Sequence, residues 1–401
     1  MINMKEINLD YAAAAPLDKR VLDKMVPFFT EHYGNPSSGH TLGEKPKAAI
    51  EDAREAVASL IGAEAKNVIF TASASEANNL VIKGLVKAGK KKGNHLIASS
   101  IEHFSVLNQL KTLEKEGYRV TLLPVDKYGM VNPKDLEAAI DDQTILISIQ
   151  AANSEIGTIQ PIEELSAIAR ERNIPFHTDA AAAAGWIELD VEKMGIDLLT
   201  LAGDQFYGPK GSAALFVRRG IRLMPQVEGG IQERGLRAGT ENVPAIVGLG
   251  EAAKIAKETM SERAGKLAAI RDQLKESLIE AVPNLHLNGH PEQRLPHNLN
   301  VSVEFVEGEA LLMRLQMAGI YVSSGSSCTS QALKSSHVLS AIGRPPELAQ
   351  GSLQLTLGPG SSAEDIPYIT EQLSEIAVLL RNMSPLYHQH LKEEKTNASV
   401  Q

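Results

Sequence analysis

The single cysteine of the chain, Cys328, lies in the stretch VSSGSSCTSQALKSSHV, where small and polar residues flank it on both sides. A structural cysteine more often lies in an apolar run, so this composition predicts an exposed loop that carries a reactive thiol. The thiolate is a soft ligand suited to iron and to iron–sulfur clusters. One cysteine cannot hold a cluster alone, but it can complete one whose other ligands come from a second protein. The alternative is a buried structural cysteine.

The composition excludes several other classes of protein. One cysteine in 401 residues allows neither an internal disulfide nor a multi-cysteine zinc site within the chain. The formal net charge of −9 disfavours nonspecific nucleic-acid binding, which needs a cationic face. No apolar run approaches the roughly 20 residues of a membrane span, and the N-terminus lacks the apolar core of a signal peptide. We therefore expect a cytoplasmic protein that binds neither nucleic acid nor membrane.

Short apolar runs alternate with amphipathic segments from about residue 45 to residue 260. The runs that predict buried strands are NVIFTAS (67–73), HLIASSI (95–101), TLLPV (121–125), TILISIQ (144–150), IPFHTDA (174–180), LLTLAGD (198–204) and AALFVRR (213–219). Helical patterns such as PIEELSAIARERN lie between most of them. This alternation predicts an α/β fold with a mostly parallel sheet, in which sites form at the carboxyl ends of the strands.

The pattern changes after residue 243, where a long helical stretch leads to LNVSVEF (299–305), whose alternation is typical of a half-buried strand. We expect a large domain over residues 15–260 and a smaller α/β domain built from residues 1–14 and 261–386, which carries the Cys328 loop. The last residues, 387–401, are predicted to form a polar, disordered tail.

Several stretches, in order along the chain, resemble the cysteine desulfurases, which are fold-type-I pyridoxal-phosphate enzymes related to the class V aminotransferases. These stretches are NLDYAAAAPLD, YGNPSSGH, TASASEANNL, IEHFSV, ANSEIGTIQPI, FHTDA, FYGPKGSAALFVRRG, QERGLRAGTENVPAIVG and SSGSSCTSQALKSSHVLSAIG. Together they cover residues 8 to about 343. Each match is weak alone, but their shared order is a strong indication of the fold.

The resemblance implies a homodimer with the cofactor site at the subunit interface. In such enzymes a lysine forms a Schiff base with pyridoxal phosphate, substrate cysteine displaces it, and a loop cysteine attacks the substrate sulfur. The products are alanine and a persulfide, whose sulfur passes to an iron–sulfur scaffold protein or a tRNA-thiolation enzyme. Cys328 matches the persulfide-bearing position.

The resemblance also implies five cofactor contacts. Asp179 matches the carboxylate that pairs with the ring nitrogen, and His103 matches the imidazole that stacks on the ring. Asn153 matches the amide near the ring hydroxyl, Ser75 a phosphate contact at a helix N-terminus, and Thr240 a phosphate contact from the partner subunit. Three of these residues have a structural alternative: Asp179 and Ser75 as helix caps, and His103 as an ordinary structural histidine.

Other family positions hold different residues. Where the family reads Ser-Gly-His-Lys, this chain has Ala202, Gly203, Asp204 and Gln205. The amide of Gln205 cannot form an imine and does not titrate near neutrality, so it cannot replace the lysine as nucleophile or proton carrier. A glutamine that the family usually places near the ring hydroxyl is Ala182 here.

The substrate side differs too, because Gln354 stands where the family has an arginine that holds the substrate carboxylate. An amide offers only a neutral hydrogen bond in place of a charged bidentate pair. Lys210, five residues after Gln205, is a poor replacement for the missing lysine and is better explained as a turn residue. Pyridoxal phosphate and ordinary cysteine desulfuration are therefore expected to be absent.

Three hypotheses follow from these residues. In the first, the chain partners an iron–sulfur scaffold protein, and Cys328 supplies a cluster ligand or relays sulfur. In the second, it is an active desulfurase that binds pyridoxal phosphate non-covalently. In the third, it is a regulatory dimer that sequesters partners. A visible-range spectrum and an assay of alanine release separate the second hypothesis from the others.

Overall fold

The computed structural model describes residues 5–89, 92–324 and 336–398, with side chains up to residue 393. The strands are β1 (Ile7–Asn8), β2 (Val68–Thr71), β3 (His95–Ser99), β4 (Arg119–Leu123), β5 (Thr144–Ser148), β6 (Phe176–Asp179), β7 (Leu198–Ala202), β8 (Ala213–Val217), β9 (Leu285–Asn288), β10 (Asn298–Val303), β11 (Ile320–Tyr321) and β12 (Ser352–Thr356). Six of the seven apolar runs singled out between residues 67 and 219 contain one of these strands, and the seventh, TLLPV (121–125), overlaps β4.

Helices connect and cover the strands. They are α1 (Lys19–Met25), α2 (Pro27–Thr30), α3 (Thr41–Leu60), α4 (Ala74–Gly89), α5 (Phe104–Lys115), α6 (Pro133–Ala139), α7 (Ile162–Glu171), α8 (Val243–Ala281), α9 (Gly308–Met317), α10 (His337–Ala341), α11 (Pro346–Gln350), α12 (Ile366–Asn382) and α13 (Pro385–Ala398). No helix in the described part of the chain is long and apolar enough to cross a membrane.

A seven-stranded sheet with the order β2-β8-β7-β6-β5-β3-β4 forms the centre of the fold. The pairs from β7 to β4 are parallel, whereas β8 pairs antiparallel with both β7 and β2. Successive strand residues point to opposite faces, so Leu96 and Ile97 of β3 enter two different apolar cores. The predicted α/β fold with a mostly parallel sheet is confirmed.

A second, three-stranded antiparallel sheet has the order β12-β10-β9. The predicted half-buried strand in this region is wrong, because all residues of β10 are buried. Its polar residues are buried because they hydrogen-bond: Asn298 Nδ2 donates to the carbonyl of Ser154 at 3.0 Å, and Asn300 Nδ2 donates to that of Glu155 at 3.1 Å. The small sheet therefore holds the loop that follows β5.

Helix α8 is continuous from Val243 to Ala281 and joins the regions of the two sheets. Its first half packs along α3 through small residues, and a Cβ added at Gly250 would lie 2.5 Å from Ala53 Cα. The division into a large domain (15–260) and a small domain (1–14 and 261–386) stays a prediction, and α8 runs across residue 260 without a break.

The C-terminal segment differs from the sequence-based expectation. Residues 387–401 were expected to be a disordered tail, whereas Pro385–Ala398 forms a helix. Phe305 packs on this helix, with ring centroids 5.6 Å from Tyr387 and 4.7 Å from His390. The polar composition suggested disorder, yet Tyr387 and His390, three residues apart, lie on one face of the helix and provide the contact with Phe305.

Candidate functional site

The parallel strands β3, β5, β6 and β7 end at one edge of the large sheet, and the predicted site residues follow those ends. Asp179 is the last residue of β6 and is 6% exposed. Its Oδ2 accepts a hydrogen bond from Asn78 Nδ2 at 2.7 Å, and its Oδ1 accepts one from the Ala181 N–H at 3.0 Å. Both carboxylate oxygens are therefore fixed in direction.

Asn78 extends this contact toward His103. The Asn78 Nδ2 group also donates to Ser105 Oγ at 2.8 Å, and that hydroxyl lies 2.8 Å from His103 Nδ1. His103 is exposed and caps α5, because its Nδ1 accepts the Ser105 N–H at 3.1 Å. Asp179 and His103 thus belong to one hydrogen-bonded chain. Asn78, which the sequence-based interpretation did not identify, is its centre.

Asn153 lies in the loop after β5 and is buried. Its Oδ1 accepts the N–H groups of Glu155 and Ile156 at 3.0 and 2.9 Å, and its Nδ2 donates to the Ile101 carbonyl at 3.1 Å. The amide oxygen is therefore used to shape the loop. One amide hydrogen is left for a ligand at this edge of the sheet.

Ser75 lies exposed in the first turn of α4. The structural alternative for Ser75, a helix cap, is wrong, because Ser73 Oγ accepts the Glu76 N–H at 3.1 Å. The Glu76 carboxylate in turn accepts the N–H of Ala72 at 2.9 Å, which completes an arrangement close to a capping box. The Ser75 hydroxyl is left available beside the helix N-terminus, where anions bind favourably.

Gln205 lies half-buried in a short 3-10 helix, Gly203–Phe206, directly after β7. Its Nε2 donates to the Ala12 carbonyl at 3.3 Å, and its own carbonyl accepts the indole N–H of Trp186 at 2.9 Å. Lys210 lies exposed beyond this segment, and in the described chain no hydrogen bond connects it with the site residues.

The amide at position 354 is turned into the protein. Gln354 is 9% exposed in β12, and its Nε2 donates to the Ser154 carbonyl at 2.6 Å. The side chain therefore stabilises the loop after β5. It presents no charge to a ligand carboxylate at this edge.

Thr240 is exposed at the end of a loop that follows the 3-10 helix Gln232–Gly235. Within that helix, Glu233 and Arg234 have φ values of 46° and 58°, a left-handed conformation that is uncommon for non-glycine residues. The Glu233 carboxylate accepts hydrogen bonds from both Nη atoms of Arg54 at 2.8 and 2.9 Å. This ion pair fixes the loop to α3, and Thr240 is exposed. The arrangement is compatible with the predicted contact of Thr240 across a dimer interface.

Two buried carboxyl groups at this edge escaped the sequence-based interpretation. Burial raises the pKa of Glu102 to about 8, although Ser99 and the Gln150 N–H donate to its Oε1. Burial also raises the pKa of Glu155 to about 7, and Ser336 Oγ donates to it at 2.8 Å. Glu102 precedes His103 in IEHFSV, and Glu155 lies two residues after Asn153 in ANSEIG. An acidic residue close to a predicted site residue was therefore the signal that the sequence offered.

Cys328, predicted as the catalytic thiol and as the cluster ligand, lies outside the described residues. The described chain resumes at Ser336, which caps α10 and binds Glu155. His337 follows it, and its Nε2 lies 3.0 Å from the Glu102 carbonyl. Ser336 and His337, the first described residues after Cys328, therefore lie at the edge that holds His103. Among the described residues, no cluster of histidine, cysteine and acidic side chains could hold a metal ion.

This edge of the sheet, with a helix N-terminus, a buried carboxylate and an exposed imidazole, belongs to a known class of enzyme fold. The sequence profile of the family "Aminotransferase class-V" matches residues 7–368, and the chain belongs to this family. The solved structure titled "NIFS-LIKE PROTEIN" superposes with a TM-score of 0.88 at 36% identity, covering 94% of this chain and 100% of that one.

Within the family, the relatives are cysteine desulfurases. The protein named cysteine desulfurase IscS from Methanosarcina thermophila is 50% identical over 382 residues, which cover 95% of this chain and 94% of that protein. The one named cysteine desulfurase IscS 1 from Archaeoglobus fulgidus is 48% identical over 378 residues, covering 94% and 98%. The resemblance to cysteine desulfurases is therefore confirmed at the level of the family.

Enzymes of this family use pyridoxal phosphate, and the residues at the sheet edge fit part of that group. The Ser75 hydroxyl and the first turn of α4 offer donors to a phosphate, and the buried Asp179 carboxylate offers an acceptor to a protonated ring nitrogen. The Gln205 amide does not fit the covalent link, because a carboxamide nitrogen is not a usable nucleophile. The donor set fits non-covalent contacts and does not fit attachment through position 205.

Proposed function

We propose that the chain acts in iron–sulfur cluster assembly as a cysteine desulfurase-like protein that lacks an internal covalent link to pyridoxal phosphate. In this proposal Cys328 delivers sulfur, or its own thiolate as a cluster ligand, to a scaffold protein. The family membership and the IscS relatives support the assembly role. The lack of the covalent link is inferred from one observation, the amide side chain of Gln205 in the segment that follows β7.

Two amide side chains, Gln205 and Gln354, stand where the resemblance implies a lysine and an arginine. Gln205 donates its Nε2–H to the Ala12 carbonyl and has no lone pair on nitrogen that can attack a carbonyl carbon. Gln354 is engaged with Ser154 and is uncharged, so a substrate carboxylate lacks the cation that would orient it. A charged hydrogen bond of that kind contributes about 1.5–3 kcal/mol, but loss of the covalent step removes far more catalytic power.

A thiolate at Cys328 retains its chemistry without the cofactor. It can ligate iron held by other residues of a scaffold protein, since sulfur ligands are favoured in such clusters. It can also take the outer sulfur of a persulfide on a separate desulfurase, in which case the S–S bond of the donor breaks as that of Cys328 forms and the donor is left as a thiolate. In both cases the chain functions as one partner of an assembly, with a second copy of itself in a homodimer and with the scaffold. The cytoplasmic location stays a prediction.

The second candidate function is an active cysteine desulfurase that binds pyridoxal phosphate non-covalently. At the level of activity, the names of the relatives favour this candidate over the first, since proteins 48–50% identical over nearly the whole chain are called cysteine desulfurases. In this candidate Asp179, Ser75 and Asn153 contact the cofactor. In this case the C–S bond of cysteine breaks, the sulfur joins the Cys328 thiolate as a persulfide, and alanine is released.

An assay of alanine release separates the two candidates. The purified protein is supplied with cysteine, a thiol reductant and excess pyridoxal phosphate, and is compared with Gln205→Lys and with Gln205→Lys/Gln354→Arg. The first candidate predicts no alanine above the protein-free control for the native chain. Alanine release by the native chain that is abolished by Cys328→Ser would reject the first candidate and establish the second.

The assembly role is tested separately by anaerobic co-purification with an iron–sulfur scaffold protein, followed by analysis of bound iron and sulfide. We expect a complex that forms with the native chain and holds less iron and sulfide with Cys328→Ser. A native dimer with no measurable affinity for the scaffold, with or without iron, would contradict the role itself. Equal iron and sulfide in both complexes would contradict the assignment to Cys328.

A further inference from the structure

A cleft of about 500 Å³ opens between α8 and the chain segment that leads into α1, apart from the sheet edge described above. Its apolar wall includes Leu17, Ile255 and Leu267. The charged residues that line it are four cations and two anions: Lys19, Arg20, Arg263, Lys266, Asp18 and Glu262. This volume is in the range of small-molecule sites, and the lining combines an apolar wall with an excess of positive charge.

Arg263 is the polar group on which this inference depends. Its guanidinium lies 4.4 Å from the ring centroid of Trp186 and 5.1 Å from that of Tyr207. One Nη atom donates to the Gly185 carbonyl. In the described part of the chain, Arg263 forms no ion pair, and its other Nη atom forms no hydrogen bond. Asp18, a nearby carboxylate, is paired with Arg20 at 2.7 Å.

Two further polar atoms beside the cleft lack partners. The Tyr207 hydroxyl and Arg263 Nε are both buried, and neither has a hydrogen-bond partner among the described residues. Buried polar groups are normally satisfied, so these two atoms are exceptions beside one cleft. Tyr207 is also held at φ 69°, a left-handed conformation that places its ring under the guanidinium.

We propose that this cleft binds a small organic carboxylate with an apolar body. The carboxylate would pair with the Arg263 Nη atom that forms no hydrogen bond within the described residues. The apolar body would lie along Leu17, Ile255 and Leu267. A planar, preorganised guanidinium without a protein carboxylate is suited to bind an anion from solution. This proposal does not rest on the function proposed above, because none of the predicted site residues lines the cleft.

The chain provides a natural reporter of binding, since Trp186 is its only tryptophan. One side of the indole contacts the Arg263 guanidinium, and the His297 ring lies 4.0 Å away. A carboxylate that binds Arg263 changes the charge next to the indole, so it is expected to change the tryptophan fluorescence. Octanoate is the probe, and octanamide, of nearly the same shape but without charge, is its matched control.

We expect a saturable fluorescence change with octanoate in the millimolar range or below, and at least about tenfold weaker binding of octanamide. Because Arg263 itself contacts the indole, its variant is studied by calorimetry. Arg263→Gln is expected to weaken octanoate binding at least about tenfold. The control is Lys254→Gln, whose parent lysine is exposed on α8 and does not line the cleft, and it is expected to leave binding unchanged.

A second variant keeps the test valid if Arg263→Gln does not fold. Thr259 lines the cleft, and Thr259→Phe fills it without changing any charge, so octanoate binding should be lost. Equal affinity for octanoate and octanamide would overturn the proposed role of Arg263. Unchanged octanoate binding in Thr259→Phe, or no saturable binding to the native chain, would overturn the site.

Discussion

The ion pair between Arg54 and Glu233 leads to a quantitative prediction about the loop that carries Thr240. The Glu233 side chain is 3% exposed and the Arg54 side chain 11%. Glu233 accepts hydrogen bonds from the two Nη atoms of Arg54 at 2.8 and 2.9 Å and from the Phe70 N–H at 2.9 Å. Glu233→Ala would remove all three bonds and leave a buried guanidinium.

Breaking a buried ion pair by removing one partner costs about 3–5 kcal/mol, because the remaining charge stays in a poorly solvated place. Arg54 retains a weaker contact with Glu51 at 3.3 Å, and the Glu51 side chain is 59% exposed. We therefore expect a loss of about 3 kcal/mol in the free energy of unfolding, at the lower end of that range. The variant would also leave the Phe70 N–H without its acceptor, which keeps the loss from falling below this value.

Urea unfolding measures this loss, and all variants are compared at one protein concentration, because the unfolding midpoint of any self-associating protein depends on its concentration. The control is Glu64→Ala, which removes an exposed partner of Lys66 and is expected to leave the unfolding midpoint unchanged. The double variant Arg54→Met/Glu233→Ala should be more stable than Glu233→Ala alone, because it removes the stranded charge. If Glu233→Ala and Glu64→Ala unfold at the same urea concentration, the reasoning is refuted.

Two further predictions concern packing and pH. Gly250→Ala on α8 should destabilise the protein by about 1–3 kcal/mol, because the new methyl would clash with Ala53; Gly265→Ala, in open space on the same helix, should stabilise it by about 0.5–1 kcal/mol. Thermal unfolding of both variants checks the opposite signs. Burial raises the pKa of Glu102 from 4.5 to about 8, so its stabilising contribution is complete below pH 4.5 and is lost as the pH rises toward 8. Glu102→Gln should flatten the fall in urea midpoint between these pH values, and an unchanged pH profile would contradict the assignment.

The large sheet was predictable because a mainly apolar run contains or overlaps each of its strands, and helical segments lie between most of these runs. The position of Asp179 at the end of β6 was predictable for the same reason. Its hydrogen-bond partner was not, because Asn78 lies 101 residues earlier in the chain and the two meet only when α4 packs on the sheet. The raised pKa values of Glu102 and Glu155 likewise depend on burial, which no local pattern of charges reveals.

The parts that failed have different physical causes. The helix Pro385–Ala398 is polar, and its stability depends on aromatic contacts with Phe305, a residue distant in sequence. The strand β10 was expected to have one solvent-facing side, but its asparagine side chains bind carbonyl groups of the loop after β5. In both cases tertiary contacts decide the outcome, and polarity alone suggested exposure. The assignments of Cys328, Thr240 and the other site residues stay predictions.

Reductive trapping tests the central claim most directly. The purified native chain and its Gln205→Lys variant are incubated with pyridoxal phosphate, treated with borohydride, digested and analysed by mass spectrometry for pyridoxyl-lysine. Because Gln205 has no amine, we expect no lysine of the native chain to be labelled above the level of the denatured control. In the Gln205→Lys variant we expect the label at position 205. Stoichiometric label on any lysine of the native chain, with Lys210 the first position to inspect, would contradict the account.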